Sequence, residues 1–512
     1  MRWRWVLVPV LMLGCVFPAY AGPAAAAASA KLDSHAIDNY VAEMMDQDNL
    51  PGVSVSIVKG DDSYARGYGF ADRDAGQPVT PDTLFELGSN SKAYTAVGLL
   101  LLAEQGKVDL DAPVTRYLAG IEWRFNQAQA EPLVKDFLYQ TSGMGSNSVA
   151  IINPSTHDKA LQDTVRNLAD QPLWNKPGEQ FLYSTGNYDV LGAVIEQVSG
   201  QSFESFMQEQ VLTPLGLKGT YAGTANLPAE VRMSKGYKLG WTGNRSYDAP
   251  IYRGNIPAGY ILSDSAEMTR WLKIQLGLQE GIPEPLRSAV ERAHLPDDRV
   301  AETLTEPYDT PFRYGGGWLV FGQGDRTTLS HGGNNPNFSS YIIVDPTNKT
   351  GIAVMGNRNT TCTFAIAQGL QALLKGEEPA VAPKDITSTS DLAAAVLFFL
   401  TLLLSLWTIY RIYKAEAARR RGRRSFAGKT PSVYLKTAVW IMFAGLMLAV
   451  AWYIPKLLFW GYPWSFIVVW APFTVVPAMV SLSVTSVLFA SLRVYTVLFP
   501  MTNKDRPARI AV

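Results

Sequence analysis

The chain divides into two parts with different patterns of apolar and polar positions. Up to about residue 375, short apolar stretches alternate with polar breaks, which is typical of a mixed domain folded in water. Beyond residue 390, apolar runs dominate at 392–410, 437–454 and 466–490, each about as long as a membrane-spanning helix. The pattern predicts a folded domain over 30–375, a linker over 376–390 and a three-helix transmembrane domain over 391–512.

The folded domain begins and ends with strand patterns. "GVSVSIVKG" alternates apolar and polar positions, and "YARGYGFAD" follows it after a turn. Strand patterns return at "GGGWLVFG", "RTTLSHGG", "SSYIIVDP" and "GIAVMGN", and the helical pattern "FAIAQGLQALLKG" comes next. The region between about 110 and 305 is mixed and helix-rich. The order predicts an α/β fold: one sheet built from both ends of the domain, flanked by helices, with a helical insert.

The N-terminus has the three-part pattern of a secretory signal peptide. Arg2 and Arg4 precede an apolar stretch, which ends in the small-residue motif Ala19-Tyr20-Ala21. We predict a signal peptide over 1–21, with an uncleaved anchor helix as the alternative. Removal of the signal leaves Cys362 as the one cysteine, so the exported domain has no internal disulfide.

Basic residues around the apolar runs predict the orientation in the membrane. The segment "RIYKAEAARRRGRRSFAGK" separates the first two runs, whereas Lys456 is the one basic residue between the second and third. The tail carries Lys504, Arg506 and Arg509. Because positive loops stay in the cytoplasm, the sequence predicts a multi-pass inner-membrane protein with its large domain on the periplasmic or extracellular side. Pro472 and Pro477 predict a kink in the third span.

Charge and motif content exclude several classes of function. Lys and Arg balance Asp and Glu, so no nucleic-acid partner is expected, and the basic segment between two spans is better explained by orientation. The four histidines form no HExxH motif or His/Cys cluster, so we predict no metal and no other cofactor. No Gly-x-Ser-x-Gly motif surrounds a plausible nucleophile, and "GGGW" lacks the Lys of a phosphate loop.

The remaining candidate chemistry is the Ser-x-x-Lys motif of "ELGSNSKAYTA". If a helix starts at Ser89, then Ser89 and Lys92 share one face and Ser91 points away from them. A helix N-terminus favours a developing oxyanion, and burial of Lys92 in an apolar helix favours its neutral, basic form. Ser89 is therefore the candidate nucleophile and Ser91 a packing or capping residue. Alone, the motif also fits a serine cap followed by a solvated lysine.

Five ordered blocks resemble the serine β-lactamase and penicillin-binding-protein superfamily: "FELGSNSKAYTA", "LYQTSGM", "YSTGNYDVLGAVIEQVSG", "PAGYILSDSAEMTRWL" and "LSHGGNNPNFSSY". The resemblance covers about residues 35–375 and implies an antiparallel sheet flanked by helices. It implies that Tyr183 relays protons beside the serine and lysine, and that the segment containing His331 and Gly333 lines the pocket. It also implies that the backbone N–H of Asn334 completes the oxyanion hole with that of Ser89.

The sequence departs from the superfamily pattern at positions that matter for β-lactams. Thr185 stands where many members carry Asn, and no Glu is clearly placed as a deacylating base. His331 replaces a Lys that β-lactamases use to hold the substrate carboxylate. Efficient β-lactam hydrolysis is therefore not expected.

A narrower resemblance includes the membrane part. The signal peptide, the Ser-x-x-Lys domain, the three C-terminal spans and "WSFIVVW" are similar to prodrug-activating peptidases of nonribosomal peptide pathways, the colibactin-maturing type with xenocoumacin and zwittermicin counterparts. That family removes an N-acyl-D-asparagine cap from an inactive precursor during export. The resemblance implies pocket positions at Glu86, Thr185, Asn335 and Asn337, and at Asn255, where the colibactin enzyme has a histidine. Asn side chains match a primary amide in both directions.

Other interpretations of these residues remain open at this point. Glu86 also fits a surface acid, Tyr183 a core tyrosine, Thr185 a strand or loop hydroxyl, and "NNPN" a plain turn. For the whole protein, the alternatives are a D,D-carboxypeptidase or esterase of the same superfamily and a non-catalytic membrane sensor. The predicted partners are an N-acyl-D-Asn-capped prodrug and membrane lipid. Since one span suffices for an anchor, three also allow an exporter or a second copy of the chain.

Overall fold

The computed structural model describes residues 32–225, 227–305, 308–380, 385–459 and 461–502. The predicted signal peptide and the basic tail residues Lys504, Arg506 and Arg509 lie outside these residues. The chain forms two compact units. Leu239–Gly243 and the residues from Ile386 onward make up the smaller unit, and the rest makes up the larger one.

The strands of the described chain are mostly short. In chain order they are β1 (Gly52–Lys59), β2 (Asp62–Asp72), β3 (Gln77–Pro78), β4 (Phe85–Glu86), β5 (Trp123–Phe125), β6 (Ala128–Ala130), β7 (Tyr221–Ala222), β8 (Tyr237–Gly240), β9 (Gly243–Ser246), β10 (Ile261–Ser263), β11 (Phe312–Tyr314), β12 (Leu319–Phe321), β13 (Thr328–Asn335), β14 (Phe338–Asp345) and β15 (Thr350–Gly356).

Helices occupy much of the remaining chain. The larger unit contains α1 (Ser34–Asp48), α2 (Ser91–Glu104), α3 (Val134–Leu138), α4 (Ala160–Ala169), α5 (Gly186–Ser199), α6 (Phe203–Phe206), α7 (Ile256–Gly259), α8 (Ser265–Gln275), α9 (Glu284–Ala293) and α10 (Cys362–Lys375). The smaller unit contains α11 (Ile386–Arg420), α12 (Pro431–Leu458), α13 (Trp464–Trp470) and α14 (Val475–Leu498).

The central sheet joins the two ends of the larger unit, as the sequence predicts. Its order is β11-β12-β13-β14-β15-β1-β2-β3, and the pairings are antiparallel. β1 pairs with β15 from Val53 opposite Gly356 to Lys59 opposite Thr350. The chain between β3 and β11 forms the insert, which is largely helical and includes the small sheet β4-β10-β7.

Helices cover both faces of the central sheet. On one face, α1 and α10 supply Ile37 and Ile366 to a core that includes Val53 and Val55 of β1. On the other face, α8 packs closely against β15. A Cβ atom added at Gly351 would lie 3.1 Å from the Leu272 side chain. Burial of each such apolar side chain contributes roughly 1.5–3 kcal/mol. The predicted layered α/β fold is confirmed.

Helix α2 is buried on nearly every side, because its residues are apolar almost all round. It begins at Ser91, and the predicted start at Ser89 is wrong: a 3-10 turn over Gly88–Asn90 precedes it. Gly88 has φ +53°, which favours glycine, and Asn90 N donates to Leu87 O at 3.3 Å. The helix is followed by Gly106, whose φ of +69° fits the predicted stop.

Among the residues that the structure describes, the smaller unit has three helices that are long and apolar enough to cross a membrane: α11, α12 and α14. Helix α11 begins at Ile386, so residues 386–390, predicted as linker, are helical. The third apolar run is interrupted rather than kinked, because α13 ends at Trp470 and α14 begins at Val475. Pro472 lies in the break, where no helical N–H is required of it.

Hydroxyl groups join α11 to α14. Thr401 Oγ1 lies 2.7 Å from Ser481 Oγ, and Ser405 Oγ lies 2.7 Å from Thr485 Oγ1. Small polar residues of this kind let helices approach closely and bond across a membrane interface.

The turn between β8 and β9 belongs to the same unit as the apolar helices. The Trp241 ring meets the Phe398 ring edge-on at 4.8 Å, and Thr242 N donates to Asp391 Oδ2 at 2.7 Å. Thr474 Oγ1 donates to the other oxygen of Asp391 at 2.5 Å. These bonds satisfy a carboxylate that is buried near the start of α11.

Candidate active site

The Ser-x-x-Lys motif forms the predicted contact. Lys92 Nζ donates to Ser89 Oγ at 2.9 Å and to the backbone oxygen of Ala258 in α7 at 2.8 Å. Lys92 is fully buried, whereas Ser89 is partly exposed. The arrangement places an amine against a hydroxyl that solvent and substrate can reach, which is the geometry of a nucleophile with its base.

Burial controls the charge of Lys92. Loss of solvent lowers the pKa of Lys92 to about 7, and the charge of Asp189 opposes that effect. The rings of Tyr183 and Tyr188 lie 5.3 and 5.8 Å from Nζ. A substantial fraction of the amine is therefore neutral near pH 7 and able to accept the Ser89 proton.

Tyr183 lies beside this pair, in the loop before α5. Burial raises the pKa of its phenol, and a hydrogen bond with the Ser89 side chain partly opposes that shift. The phenol therefore stays protonated at neutral pH and shares a bond with the nucleophile. This position suits a group that passes protons between the serine and a leaving group.

The backbone N–H of Asn334 faces the nucleophile turn. Asn335 pairs with Phe338 across a two-residue turn, so the neighbouring Asn334–Ser339 pair is not hydrogen-bonded within the β13–β14 ladder. The N–H of Asn334 therefore points away from β14. The Asn334 nitrogen lies 2.5 Å from the position that a Cβ atom at Gly88 would occupy.

Contacts between the nucleophile turn and β13–β14 require small residues. A Cβ atom at Gly333 would lie 1.9 Å from the Leu87 carbonyl oxygen, which is too close for any side chain. Ser340 Oγ donates to that same oxygen at 2.6 Å, and Asn90 Nδ2 donates to Ser340 Oγ at 2.7 Å. Glycine at 88 and 333 thus lets the turn that carries Ser89 pack directly against β13.

His331 is a neutral member of the site. Nδ1 lies 2.7 Å from the Gly332 carbonyl and therefore carries the proton, which leaves Nε2 to accept from the Tyr314 hydroxyl at 3.2 Å. Burial, with the nearby Lys92 charge, lowers the pKa of His331 to about 3. His331 supplies no positive charge for a substrate carboxylate, in line with the expectation that β-lactams are poor substrates.

Glu86, three residues before Ser89, forms a polar pair with Asn335 of β13. Asn335 Nδ2 donates to Glu86 Oε2 at 2.6 Å and to the Gly259 oxygen at 2.9 Å. Burial raises the pKa of Glu86 to about 7, and the Asn335 bond partly opposes that effect. Glu86 is therefore not the surface acid that the sequence alone left possible.

Asn255 lies next to the same group. Asn335 Oδ1 and one terminal amide atom of Asn255 each lie 3.5 Å from the position that a Cβ atom at Gly259 would occupy. When the amide of Asn255 turns its nitrogen toward Asp189, it donates to both carboxylate oxygens, at 3.1 and 2.9 Å. Asn255 thus connects the pocket around Asn335 to the surroundings of Lys92.

Thr185 and Asn337 have different positions. Thr185 is the N-cap residue of α5, two residues after Tyr183, and its carbonyl accepts from Tyr188 N at 3.2 Å. Asn337 lies in the β13–β14 turn and donates from Nδ2 to the Tyr247 carbonyl at 2.9 Å. That bond directs the Asn337 amide nitrogen to the segment after β9.

Three contributors to the site were missed by sequence analysis: Gly88, Ala258 and Asp189. Gly88 carried a weak signal, because a glycine directly before a nucleophile suggests a tight turn. Asp189 lies in the first turn of α5 and is fully buried, but its proximity to Lys92 depends on how α5 packs against α2. Ala258 acts through its backbone, which no side-chain pattern reveals.

Comparison with protein families agrees with this geometry. The family model described as Beta-lactamase matches residues 37–376, more than half of the chain. Protein flp of Staphylococcus aureus (strain MW2) is 27% identical over 453 residues, which are 87% of each chain. That coverage extends past residue 376 into the apolar helices. Unguisins hydrolase ungD of Aspergillus violaceofuscus is 26% identical over 345 residues, 62% of this chain and 59% of the relative.

Solved structures share the architecture of the larger unit. The octameric penicillin-binding protein homologue from Pyrococcus abyssi has a TM-score of 0.59 and 26% identity, and the match covers 68% of this chain and 78% of that one. A class C beta-lactamase has a TM-score of 0.56 at 20% identity, covering 66% of this chain and 96% of its own. The second likeness shows the fold alone.

Proposed function

This chain belongs to the beta-lactamase family of serine hydrolases, and we propose that it is a membrane-anchored serine peptidase that hydrolyses the amide after an N-acyl-D-asparagine cap. Its product would be a nonribosomal peptide or polyketide compound activated during export. The observation that carries the proposal is the Glu86–Asn335 pair, whose bonded atoms are 2.6 Å apart and whose carboxyl belongs to a residue three positions before Ser89. It offers both an acceptor and amide groups beside the nucleophile.

In the proposed reaction Ser89 attacks the carbonyl carbon of the asparaginyl amide. Lys92 takes the hydroxyl proton as the new C–O bond forms, and the N–H groups of Ser89 and Asn334 hold the oxyanion. Tyr183 delivers a proton to the leaving amine when the C–N bond breaks. Water then attacks the acyl-enzyme, releases N-acyl-D-asparagine and returns a proton to Ser89.

The proposed pocket recognises a primary amide. A Glu86 carboxylate accepts from the substrate NH₂ group, while the amides of Asn335 and Asn255 supply donors and acceptors. Thr185 and Asn337 border this region in the proposal, and His331 and Gly333 line it. Such a site rejects analogues that leave its polar groups unpaired.

We propose that the three apolar helices hold the catalytic unit at the periplasmic or extracellular side of the inner membrane. The basic segment over 411–429, which covers the end of α11 and the connection to α12, supports a cytoplasmic position for that loop. A substrate with a lipid tail would be concentrated at the membrane surface. Because one span suffices for an anchor, we also propose that the three spans bind an exporter or a second copy of the chain.

Two relatives bear on the reaction class. The name of the Aspergillus violaceofuscus relative, Unguisins hydrolase, supports hydrolysis as the reaction. The likeness to a penicillin-binding protein homologue favours a second candidate, a D,D-carboxypeptidase or esterase of the same superfamily. The neutral His331 argues against that candidate, because a D-Ala-D-Ala substrate ends in a carboxylate.

The test is mass spectrometry of products from a short fatty-acyl-D-Asn amide, beside its L-Asn, D-Gln and D-Ala-D-Ala counterparts. We expect release of acyl-D-Asn by the wild-type protein and none by Ser89→Ala. Cleavage of D-Ala-D-Ala peptides or simple esters alone would move the protein to the second candidate. A chain that cleaves none of them and resists a serine-directed probe would be a sensor.

A further inference from the structure

We propose that Asp189 is a positioning residue for the base Lys92: it holds Ala258, whose carbonyl orients the Lys92 amine, and its carboxylate stabilises the ammonium formed when Ser89 loses its proton. This inference rests on the proposed function, in which Lys92 deprotonates Ser89.

One residue, Ala258, connects the two side chains through its backbone N–H and its backbone carbonyl. The backbone N–H of Ala258 donates to the Asp189 carboxylate, and the Ala258 carbonyl accepts from Lys92 Nζ at 2.8 Å. Lys92 has its other bond with Ser89 Oγ at 2.9 Å. The Ala258 carbonyl therefore directs the amine, and Asp189 holds the same residue through its N–H.

Asp189 is held on its other side as well. The Asn255 amide, turned with its nitrogen toward the carboxylate, donates to both oxygens at 3.1 and 2.9 Å. Asp189 is fully buried in the first turn of α5. A carboxyl in such a place is expensive unless donors and a counter-charge compensate for the lost water. Ala258 and Asn255 supply the donors. Burial raises the pKa of Asp189, and the Ala258 bond and the charge that Lys92 gains with its proton oppose that effect.

The tyrosines and the histidine packed around Asp189 and Lys92 are uncharged at neutral pH, so Lys92 is the group whose positive charge Asp189 can stabilise. Tyr260, directly after α7, faces Asp189 and Glu86, and burial keeps it a neutral phenol by raising its pKa. Tyr183, Tyr188 and His331 surround Lys92, and His331 is uncharged at neutral pH. Asp189 opposes the effect of burial on Lys92, which makes it the carboxyl positioned to stabilise the ammonium.

The role in the reaction follows from the proton balance. As Ser89 Oγ bonds to the substrate carbonyl, its proton moves to the Lys92 amine, and a positive charge appears where there was none. The Asp189 carboxylate lowers the free energy of that charge without touching the substrate. When the proton leaves through Tyr183 to the departing amine, Lys92 is neutral again.

The experiment measures the rate at which a fluorophosphonate probe labels Ser89 in the full-length protein, across pH values on both sides of the Lys92 pKa of about 7. Asp189→Asn keeps an acceptor for Ala258 N–H but loses the charge. We expect labelling at high pH to slow by about tenfold, the loss typical of one weakened bond to a charged buried group. We expect the acidic limb of the profile to move down by about one pH unit, because Lys92 loses its counter-charge.

Two further variants isolate the effect. Asp264→Asn changes another buried carboxyl, the N-cap of α8, and should leave the acidic limb in place because asparagine also caps helices. Asp189→Ser removes the charge with a smaller side chain, and its profile decides the question if Asp189→Asn does not fold.

Each outcome has one meaning. A slower rate together with a lowered acidic limb in the Asp189 variants supports the inference. An unmoved limb, or a wild-type rate, overturns the role of Asp189 while the proposed function stands. A wild-type protein that the probe does not label at Ser89 overturns the proposed function, and this inference with it.

Discussion

Asn335 donates its side-chain amide to the carboxylate of Glu86 at 2.6 Å, which ties the end of β13 to the short strand β4 that leads to the nucleophile. The bond connects residues that are far apart in the chain and come from different sheets. It also explains why a carboxyl can be buried so near Ser89: part of its lost hydration is replaced by the Asn335 amide.

The pKa of Glu86, about 7, predicts a pH-dependent KM for the asparagine amide. Below pH 7 the carboxyl gains a proton and loses acceptor capacity for the substrate NH₂ group, so KM should rise as pH falls. Glu86→Gln should remove this dependence and reduce kcat/KM for the D-Asn substrate by roughly 10- to 100-fold, as for a lost bond to a charged group. Steady-state kinetics across pH test this, and an unchanged pH dependence in the variant would contradict it.

Lys92 predicts an acylation rate that rises with pH through about 7, because its neutral form is the base. Lys92→Arg retains the charge but cannot lose its proton at these pH values, and labelling of Ser89 should fall by about 10²–10⁴-fold. Lys238 offers a control, since it is another buried lysine, with a pKa lowered to about 8 by burial. Lys238→Arg should leave the midpoint of the profile unchanged.

Gly88→Ala should remove most of the oxyanion stabilisation. The new methyl group would begin 2.5 Å from the Asn334 nitrogen, so one of the two segments must move. The expected loss of kcat is about 10²–10³-fold, similar to removal of one oxyanion donor. Gly106→Ala is the control for backbone strain. Gly106 also has a positive φ, but a methyl group there would meet no neighbouring atom. Equal losses in both variants would refute the assignment.

The hydroxyl contacts of α11 with α14 should stabilise the smaller unit by modest amounts. Thr401→Val and Ser405→Ala each remove one contact and should each cost about 0.6 kcal/mol in the unfolding of the detergent-solubilised protein. Leu403→Val, at an exposed position of α11, provides the comparison. Stability losses no larger than that of Leu403→Val would show that the contacts contribute little.

A secreted form that ends before α11 should mature less precursor in cells than the full-length protein. The proposed reason is concentration of a lipid-tailed substrate at the membrane, so purified truncated and full-length proteins should hydrolyse a short soluble substrate at similar rates. Precursor and product are measured by mass spectrometry of culture extracts. Undiminished maturation would leave the spans without a role beyond anchoring.

The sequence by itself determined the sheet built from both ends of the larger unit, the buried helix α2 and the three long apolar helices. These features follow from local periodicity and composition, which one chain segment carries alone. The Ser89–Lys92 contact was predictable for a related reason: three residues along a helical path return a side chain to the same face. The exact helix start was not, because Gly88 and the contacts of Gly333 impose a 3-10 turn.

Tertiary structure decided the rest of the site. Nothing local to Asp189, Ala258 or Asn255 indicates that they surround Lys92, since the packing of α5 and α7 against α2 brings them there. The burial that lowers the pKa of Lys92 and raises that of Glu86 is likewise a property of the assembled core. Motif spacing specifies which groups are present, whereas their charge and direction depend on neighbours that are distant in sequence.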